Sequence, residues 1–109
     1  MSAVTFLYST APDEKTAAAI ADALVGSGAA ACVNIIPGMR SVYCWEGKVA
    51  SAAEVVLIVK TTADASSRAI ATIKSLHPYD LPAIAALSVD EVHSSRAFCD
   101  WVRSSCASG

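Results

Sequence analysis

A chain of 109 residues suits one domain with one hydrophobic core. Its net charge of −2 excludes a broad positive surface for nucleic acid or an anionic membrane. No apolar run approaches the roughly 18 residues that cross a bilayer.

The first third of the chain predicts a buried strand and then an amphipathic helix. The apolar run 3–8 suits a strand, and it begins without a charged leader segment, so we expect a cytoplasmic protein. Asp13 is placed to cap the helix, with Glu14 adding acidic charge to its first turn. Gly26 and Gly28 mark the helix end. The predicted apolar stripe is Ala17, Ile20, Ala21, Leu24 and Val25.

The stretch 30–49 predicts a long, bent β-hairpin. Apolar residues at 32–36 indicate a strand, which Pro37 and Gly38 interrupt because proline donates no N–H and glycine tolerates a bulge. The strand pattern resumes at 41–45, and 46–48 provides a polar turn.

Two large aromatic residues, Tyr43 and Trp45, share one face of this hairpin with Ser41. A small domain has little core to cover such an arm, and large amphipathic side chains are common at interfaces. We therefore interpret the arm, about residues 37–53, as an assembly surface in which Tyr43 and Trp45 are interface residues.

The second half predicts a central strand, a helix, a strand and a last helix. Residues 54–60 form a nearly continuous apolar run, and 61–64 are expected to cap a helix that ends at His77-Pro78. Residues 83–89 predict the next strand. Ser94 or Ser95 is expected to cap a helix over about 94–104. The first of these helices is predicted to bury Ala69, Ile70, Ile73 and Leu76. The last helix is predicted to bury Phe98, Trp101 and Val102.

The resulting order, β-α-β-β-α-β, predicts one α+β domain over residues 1–109. Two split βαβ units close into a ferredoxin-like sandwich, with a four-stranded antiparallel sheet and two helices on one face. The long hairpin and the C-terminal helix are additions to this plan. The uncovered sheet face needs a partner, which another copy of the chain can supply.

The four cysteines, Cys32, Cys44, Cys99 and Cys106, form no C-x-x-C pair. This spacing argues against a zinc ribbon or a redox motif. We expect reduced and mostly buried thiols.

Few residues predict chemistry. His77 is either a metal or ligand contact or a helix-end histidine favoured by the dipole, whereas His93 is expected at the surface. Lys60 can bind an anion or pair with Glu54 or Glu46. A Cys32/His77 or Cys44/His93 dyad stays open, but no nucleophile elbow, phosphate loop or His-x-x-x-His pair is present. We expect no enzyme.

Several motifs together resemble the CutA family of divalent-cation tolerance proteins. They stand in the family's order, and the similarity runs from Val4 to about Val102. The matching segments are TAPDE (10–14), AACVNIIPG (30–38), SVYCWEGK (41–48), KTT (60–62) and HPYDLP (77–82).

The resemblance implies a ferredoxin-like protomer in a tight homotrimer, similar to the PII signalling trimers. It also implies a cytoplasmic role in tolerance of copper and other divalent metals, without an established reaction. Three hypotheses follow. The first is a structural or signalling trimer. The second is a small-molecule or metal sensor with inter-subunit clefts near Trp45, Lys60, His77 and Tyr79. The third is an enzyme.

The sequence departs from the family at the positions connected with copper. The family's cysteine, histidine and glutamate correspond here to Ser9, Leu76 and Ala83. None of these side chains replaces a thiolate, an imidazole or a carboxylate. We therefore expect copper or another divalent cation to bind weakly at most.

Overall fold

The computed structural model describes residues 2–106 and confirms the predicted α+β order. A short 3₁₀ turn, Glu91–His93, precedes the last helix. The elements are β1 (Val4–Ala11), α1 (Glu14–Gly26), β2 (Cys32–Trp45), β3 (Lys48–Thr62), α2 (Ser66–Leu76), β4 (Ile84–Ser88) and α3 (Arg96–Ser105).

The four strands form one antiparallel sheet in the order β2-β3-β1-β4, as the ferredoxin-like arrangement requires. Helices α1 and α2 pack on one face of it. Alternate residues of β3 point into that core, where Val55, Leu57 and Val59 are buried against Leu7 of β1. The intervening residues of β3 therefore lie on the opposite face.

Helix α1 begins as predicted. The carboxylate of Asp13 accepts a hydrogen bond from the Thr16 N–H at 2.7 Å, and this bond lowers the pKa of Asp13. Four of the five predicted apolar positions are buried, but Val25, the last position of the stripe, is 46% exposed.

The predicted start of the second helix was wrong. Thr61 and Thr62 continue β3, and α2 begins only at Ser66. Ala65 occupies the cap position, so the Thr62 hydroxyl instead accepts a hydrogen bond from the Ala65 N–H at 3.3 Å. Leu76, predicted inside, is 44% exposed, because the helix ends there and the chain turns away at His77.

Helix α3 packs on the N-terminal end of β1. Ser95 caps it, and its inward side is Cys99 and Val102, which form a cluster with Val4. The prediction that Trp101 faces inward was wrong, since this side chain is 47% exposed.

An ionic clamp fixes this helix to β1. The Glu91 carboxylate accepts hydrogen bonds from the Val4 N–H at 2.9 Å and from Arg103 at 2.7 Å. These bonds, the backbone one first, hold the pKa of Glu91 below its ordinary value. Arg103 also bonds Asp100 at 2.8 Å, so two acidic groups anchor its guanidinium.

The hairpin has the predicted bend and turn. The register of β2 against β3 shifts between Ile36 and Met39, where Gly38 has φ +84°. Glu46 and Gly47, with φ values of 50° and 78°, form a two-residue turn. The longest dimension of the molecule, 46 Å, matches the length of a 14-residue strand.

The four cysteines are free thiols. Cys99 is buried and Cys32 and Cys106 are partly buried, but Cys44 is exposed on the arm, so the expectation of mostly buried thiols was wrong for it. Within residues 2–106, no helix combines the length and apolar character needed to cross a bilayer.

The turn supplies a stability test with an internal control. Gly47→Ala should lower the free energy of unfolding by about 1 kcal/mol, because φ +78° is strained for a residue with a Cβ. Gly26→Ala should raise it by about 0.5 kcal/mol, since this glycine is helical and no atom lies within 4 Å of an added Cβ. Urea titrations of both variants measure the difference, and two effects of the same sign would contradict the assigned conformations.

Candidate functional site

A cleft of the protomer lies between the hairpin and the loop that joins α2 to β4. It has a volume of about 720 Å³. Its lining is Tyr43, Trp45, Ala52, Glu54, Pro78, Tyr79, Asp80 and Leu81.

The hairpin wall follows from strand register. Tyr43 pairs with Ala50, and Trp45 pairs with Lys48. Because side chains alternate along a strand, Ala52 and Glu54 lie on the same face as both aromatic residues. One face of the arm thus combines two aromatic rings with one carboxylate.

His77 holds the loop wall in place. Its imidazole is buried, with Nε2 2.7 Å from the Thr10 carbonyl oxygen and Nδ1 3.1 Å from the Tyr79 backbone nitrogen. A carbonyl only accepts and an N–H only donates, so the ring is protonated on Nε2 and accepts at Nδ1. Both nitrogens are engaged, and the ring also packs on Tyr79 with centroids 4.8 Å apart.

The cleft has a negative electrostatic character. Glu54 and Asp80 line it, and no lysine, arginine or histidine is among its lining residues. The pKa of Tyr79 is raised by burial first, and the acidic groups of Glu54, Tyr43 and Asp13 add to this effect. Its phenol therefore stays protonated well above neutral pH.

The structure brings together part of the predicted ligand set. Trp45 and Tyr79 line the cleft, and His77 supports it from behind the wall. Lys60 lies elsewhere, six residues along β3 from Glu54, or about 20 Å. Its ammonium group is 5.5 Å from the ring centroid of Phe98 and 6.0 Å from that of Phe6. In the described part of the chain it pairs with neither Glu54 nor Glu46.

The positions that the resemblance connects with copper do not fit that metal. Ser9 is fully buried, and its hydroxyl donates to the Ala83 carbonyl at 2.7 Å. Leu76 is exposed and carries no donor atom. Across residues 2–106, no three His, Cys, Asp or Glu side chains form a group able to hold a metal ion. The backbone brings Ser9 and Ala83 together, but the ligand atoms are missing.

Neither proposed cysteine–histidine dyad forms. The His77 nitrogens bond to backbone groups, and His93 is exposed, with Nδ1 2.9 Å from an Asp90 carboxylate oxygen. The described residues thus pair neither histidine with a thiol.

Sequence reasoning missed Glu54 and Asp80 as cleft residues. Glu54 is separated from Ala52, Ala50 and Lys48 by even numbers of residues along the strand. This alternation indicates that Glu54 lies on the same face of the hairpin as those residues. Asp80 follows Tyr79 in a loop, and no periodicity predicts where a loop residue points.

Comparisons with known proteins agree with one another. The family model of the CutA1 divalent ion tolerance protein matches residues 5–105. The divalent-cation tolerance protein CutA of Thermus thermophilus is 46% identical over 94 residues, covering 86% of this chain and 89% of that protein.

Solved structures match across nearly the whole chain. CutA1 from Oryza sativa superposes with a TM-score of 0.93 at 32% identity, covering 99% of this chain and 97% of that one. A CutA from Archaeoglobus fulgidus, described as a periplasmic divalent cation tolerance protein, has a TM-score of 0.87 at 35% identity, covering 94% and 97%.

The engagement of His77 predicts a structural cost. His77→Leu should lower the free energy of unfolding by about 1–3 kcal/mol, because the buried Thr10 carbonyl loses its donor. His93→Leu, at an exposed histidine, should change it by less than about 0.5 kcal/mol. Urea unfolding of the two variants provides the comparison, and equal stabilities would show that His77 does not hold the loop.

Proposed function

We propose, from the premise that this chain belongs to the CutA1 divalent ion tolerance family, that it acts as a cytoplasmic homotrimer in metal tolerance. In this proposal the trimer is a structural or PII-like signalling platform that works through partners. It is neither an enzyme nor a tight copper carrier.

The exposure of the hairpin arm carries this proposal. Trp45 is 65% exposed, Val42 69% and Val49 82%, all near the hairpin turn. Apolar side chains of this size gain free energy when another surface removes them from water. An arm that is apolar on both faces suits insertion between neighbours rather than contact on one side.

The sheet also has two edges for pairing. β2 and β4 are the outer strands, and β4 is only five residues long, with Leu87 53% exposed. An uncovered edge presents unpaired backbone groups that another strand can complete. Arms that interlock with such edges in a closed ring would bury more than about 2,000 Å², the range of obligate interfaces.

The side chains available as metal donors agree with a role in metal tolerance that does not involve tight metal binding. Ser9, Leu76 and Ala83 supply no copper ligand, and the ring nitrogens of His77 already have partners. In this proposal the chain contributes to metal tolerance through its assembled surface.

A sensor is the second candidate, because the cleft is large enough for a small molecule. Pockets of about 300–1,000 Å³ hold drug-sized ligands, and this one has about 720 Å³. Trp45 and Tyr79 are the predicted ligand residues that line it. An enzyme is the weakest candidate, since the matched relatives are named tolerance proteins and neither histidine is paired with a thiol in the described chain.

Assembly is tested at the arm. Trp45→Ala should shift the trimer toward smaller species at micromolar concentration, because it removes a central apolar contact. Val25→Ala, at an exposed apolar residue of α1, should leave the assembly unchanged. Multi-angle light scattering gives the mass of each. A wild-type monomer, or a Trp45→Ala trimer as stable as wild type, would refute the proposed role of the arm.

Copper binding is tested by restoring donors. In a Cys44→Ala background, which removes the exposed thiol, Cu²⁺ should bind the chain weakly. Adding Ser9→Cys, Leu76→His and Ala83→Glu should tighten binding more than about a hundredfold, since three preferred donors replace none. Calorimetry measures both. Tight binding before the three changes would contradict the proposal.

A further inference from the structure

The charges on the sheet face opposite α1 and α2 all come from one strand. Lys48, Glu54 and Lys60 lie six residues apart along β3 and alternate in sign. Their even spacing places them on this face together, and the strand register puts no other charged residue of the four described strands there. Neighbouring charges are about 20 Å apart, a distance that side chains standing perpendicular to a sheet do not span. Opposite charges on this face therefore do not pair within one protomer.

Lys60 is the cation with the fewest contacts for its charge. It is partly buried at the base of the hairpin, where its ammonium group lies 5.5 Å from the Phe98 ring centroid and 6.0 Å from that of Phe6. In the described chain no oxygen accepts a hydrogen bond from it. An ammonium group has three donors, and aromatic faces compensate its charge only in part. A carboxylate that arrives from another molecule would complete this environment.

Glu54 is the matching anion. It is partly buried in the middle of the same face, and in residues 2–106 its carboxylate forms no hydrogen bond or ion pair. A carboxylate held partly out of water without a partner costs free energy that a cation would recover. Lys48, in contrast, is exposed beside the hairpin turn, where water solvates it. Glu54 and Lys60 are therefore the two charges that gain most from meeting.

Apolar groups surround Lys60. The rings of Phe98 and Trp101 are 6.2 Å apart on α3, and Leu87 lies beside Phe6 in the strand register. Trp101 and Leu87 are exposed. We call this surface the basal patch; it consists of Lys60, Phe6, Leu87, Phe98 and Trp101.

The hairpin presents a surface of the same design with the opposite charge. Tyr43 and Trp45 flank Glu54 along one face of the arm, and Asp80 adds negative charge from the loop across the cleft. We call the first three of these residues the arm face. Aromatic rings around a single charge, negative on one surface and positive on the other, make the two surfaces complementary.

We propose that the arm face of one copy of this chain docks on the basal patch of the next copy, where Glu54 pairs with the neighbouring copy's Lys60. The inference rests on the assembly proposed above and identifies its contact. Two different surfaces meet, so the contact is heterologous, and a closed ring of three contains three identical pairs. The cleft of a single protomer is then part of the contact between copies.

A free anion fits the basal patch less well than a second copy does. Phosphate and carboxylate ligands are held by several donors, such as bidentate arginine or a row of backbone N–H groups. The basal patch offers one ammonium group among apolar side chains. A carboxylate flanked by its own aromatic side chains matches both parts of this surface.

A charge exchange tests the pair. Lys60→Glu and Glu54→Lys should each weaken assembly at least about tenfold, because like charges then meet at every contact. The double variant carries opposite charges again and should return to within about twofold of the wild type. The measurement is light scattering over a dilution series, in a fixed urea concentration at which wild-type copies are half dissociated and still folded. Unchanged single variants, or a double variant as weak as the singles, would overturn the pairing.

Neutral substitutions give the same test without a reversed charge that could disturb folding. Lys60→Met and Glu54→Gln keep the length of each side chain, and each should weaken assembly several-fold. Together they should weaken it no more than either one alone, because the second change removes a partner that the first has already lost. Losses that multiply would show that the two residues do not meet.

Lys48 supplies a matched control. It lies on the same strand and face as Lys60 and at the same distance from Glu54. Lys48→Glu should leave assembly within about twofold of the wild type, and it should not rescue Glu54→Lys. Rescue by Lys48→Glu in place of Lys60→Glu would put the contact at the hairpin turn and refute the assignment to the basal patch.

The mass of the rescued species separates this inference from the proposed trimer. A wild-type trimer that none of these charge changes affects would overturn the pairing and leave the trimer standing. A wild-type dimer restored by the charge exchange would uphold the pairing and overturn the trimer. Mixing the Lys60→Glu and Glu54→Lys proteins adds a second readout. A ring of three keeps one like-charge contact and recovers in part, whereas a dimer recovers fully and would likewise overturn the trimer.

Discussion

The pairing of β3 with β1 is the constraint on which the rest of the molecule depends. Val55, Leu57 and Val59 must point into the core beneath the two helices, and the two-residue period of a strand then sends Glu54 and Ala52 to the other face. The hairpin register carries Tyr43 and Trp45 to that same face. A slip of one residue would bury Glu54 and remove its carboxylate from the cleft. The register of β3 therefore determines both the packing of the core and the residues that line the cleft.

His77 couples the second wall to the same sheet. Its Nε2–H holds the Thr10 carbonyl at the end of β1, and its Nδ1 orients the backbone of Tyr79. A residue type that usually suggests metal binding thus serves to position a loop. The absence of copper donors agrees with the role of this imidazole. The side chains of Ser9 and His77 both bond to backbone groups of the chain, and neither is available to hold a metal ion.

The strands, the bend and the caps of α1 and α3 could be predicted from the sequence because local patterns determine them. Leu76 was misplaced because it is the last residue of its helix, where the chain turns away from the sheet. Trp101 was misplaced because the buried side of α3 is centred on Cys99 and Val102, one position away from Trp101. The late start of α2 depends on how long β3 runs beside β1, which is a tertiary contact. Trp45 and Tyr79 could be selected as aromatic residues in motifs, but the placement of Asp80 in the same cleft as Glu54 depends on a loop whose course no local pattern encodes.

The position of β1 has a consequence for synthesis of the chain. This strand precedes every other element, yet its neighbours are β3 and β4, and Glu91 and Arg103 close over its first residues. While the ribosome is still translating the middle of the message, β1 has no strand beside it. Folding must therefore wait for distant partners, which makes it slow relative to chains of similar size with local contacts. A nascent chain of this design spends that interval with a strand of its hydrophobic core accessible to chaperones.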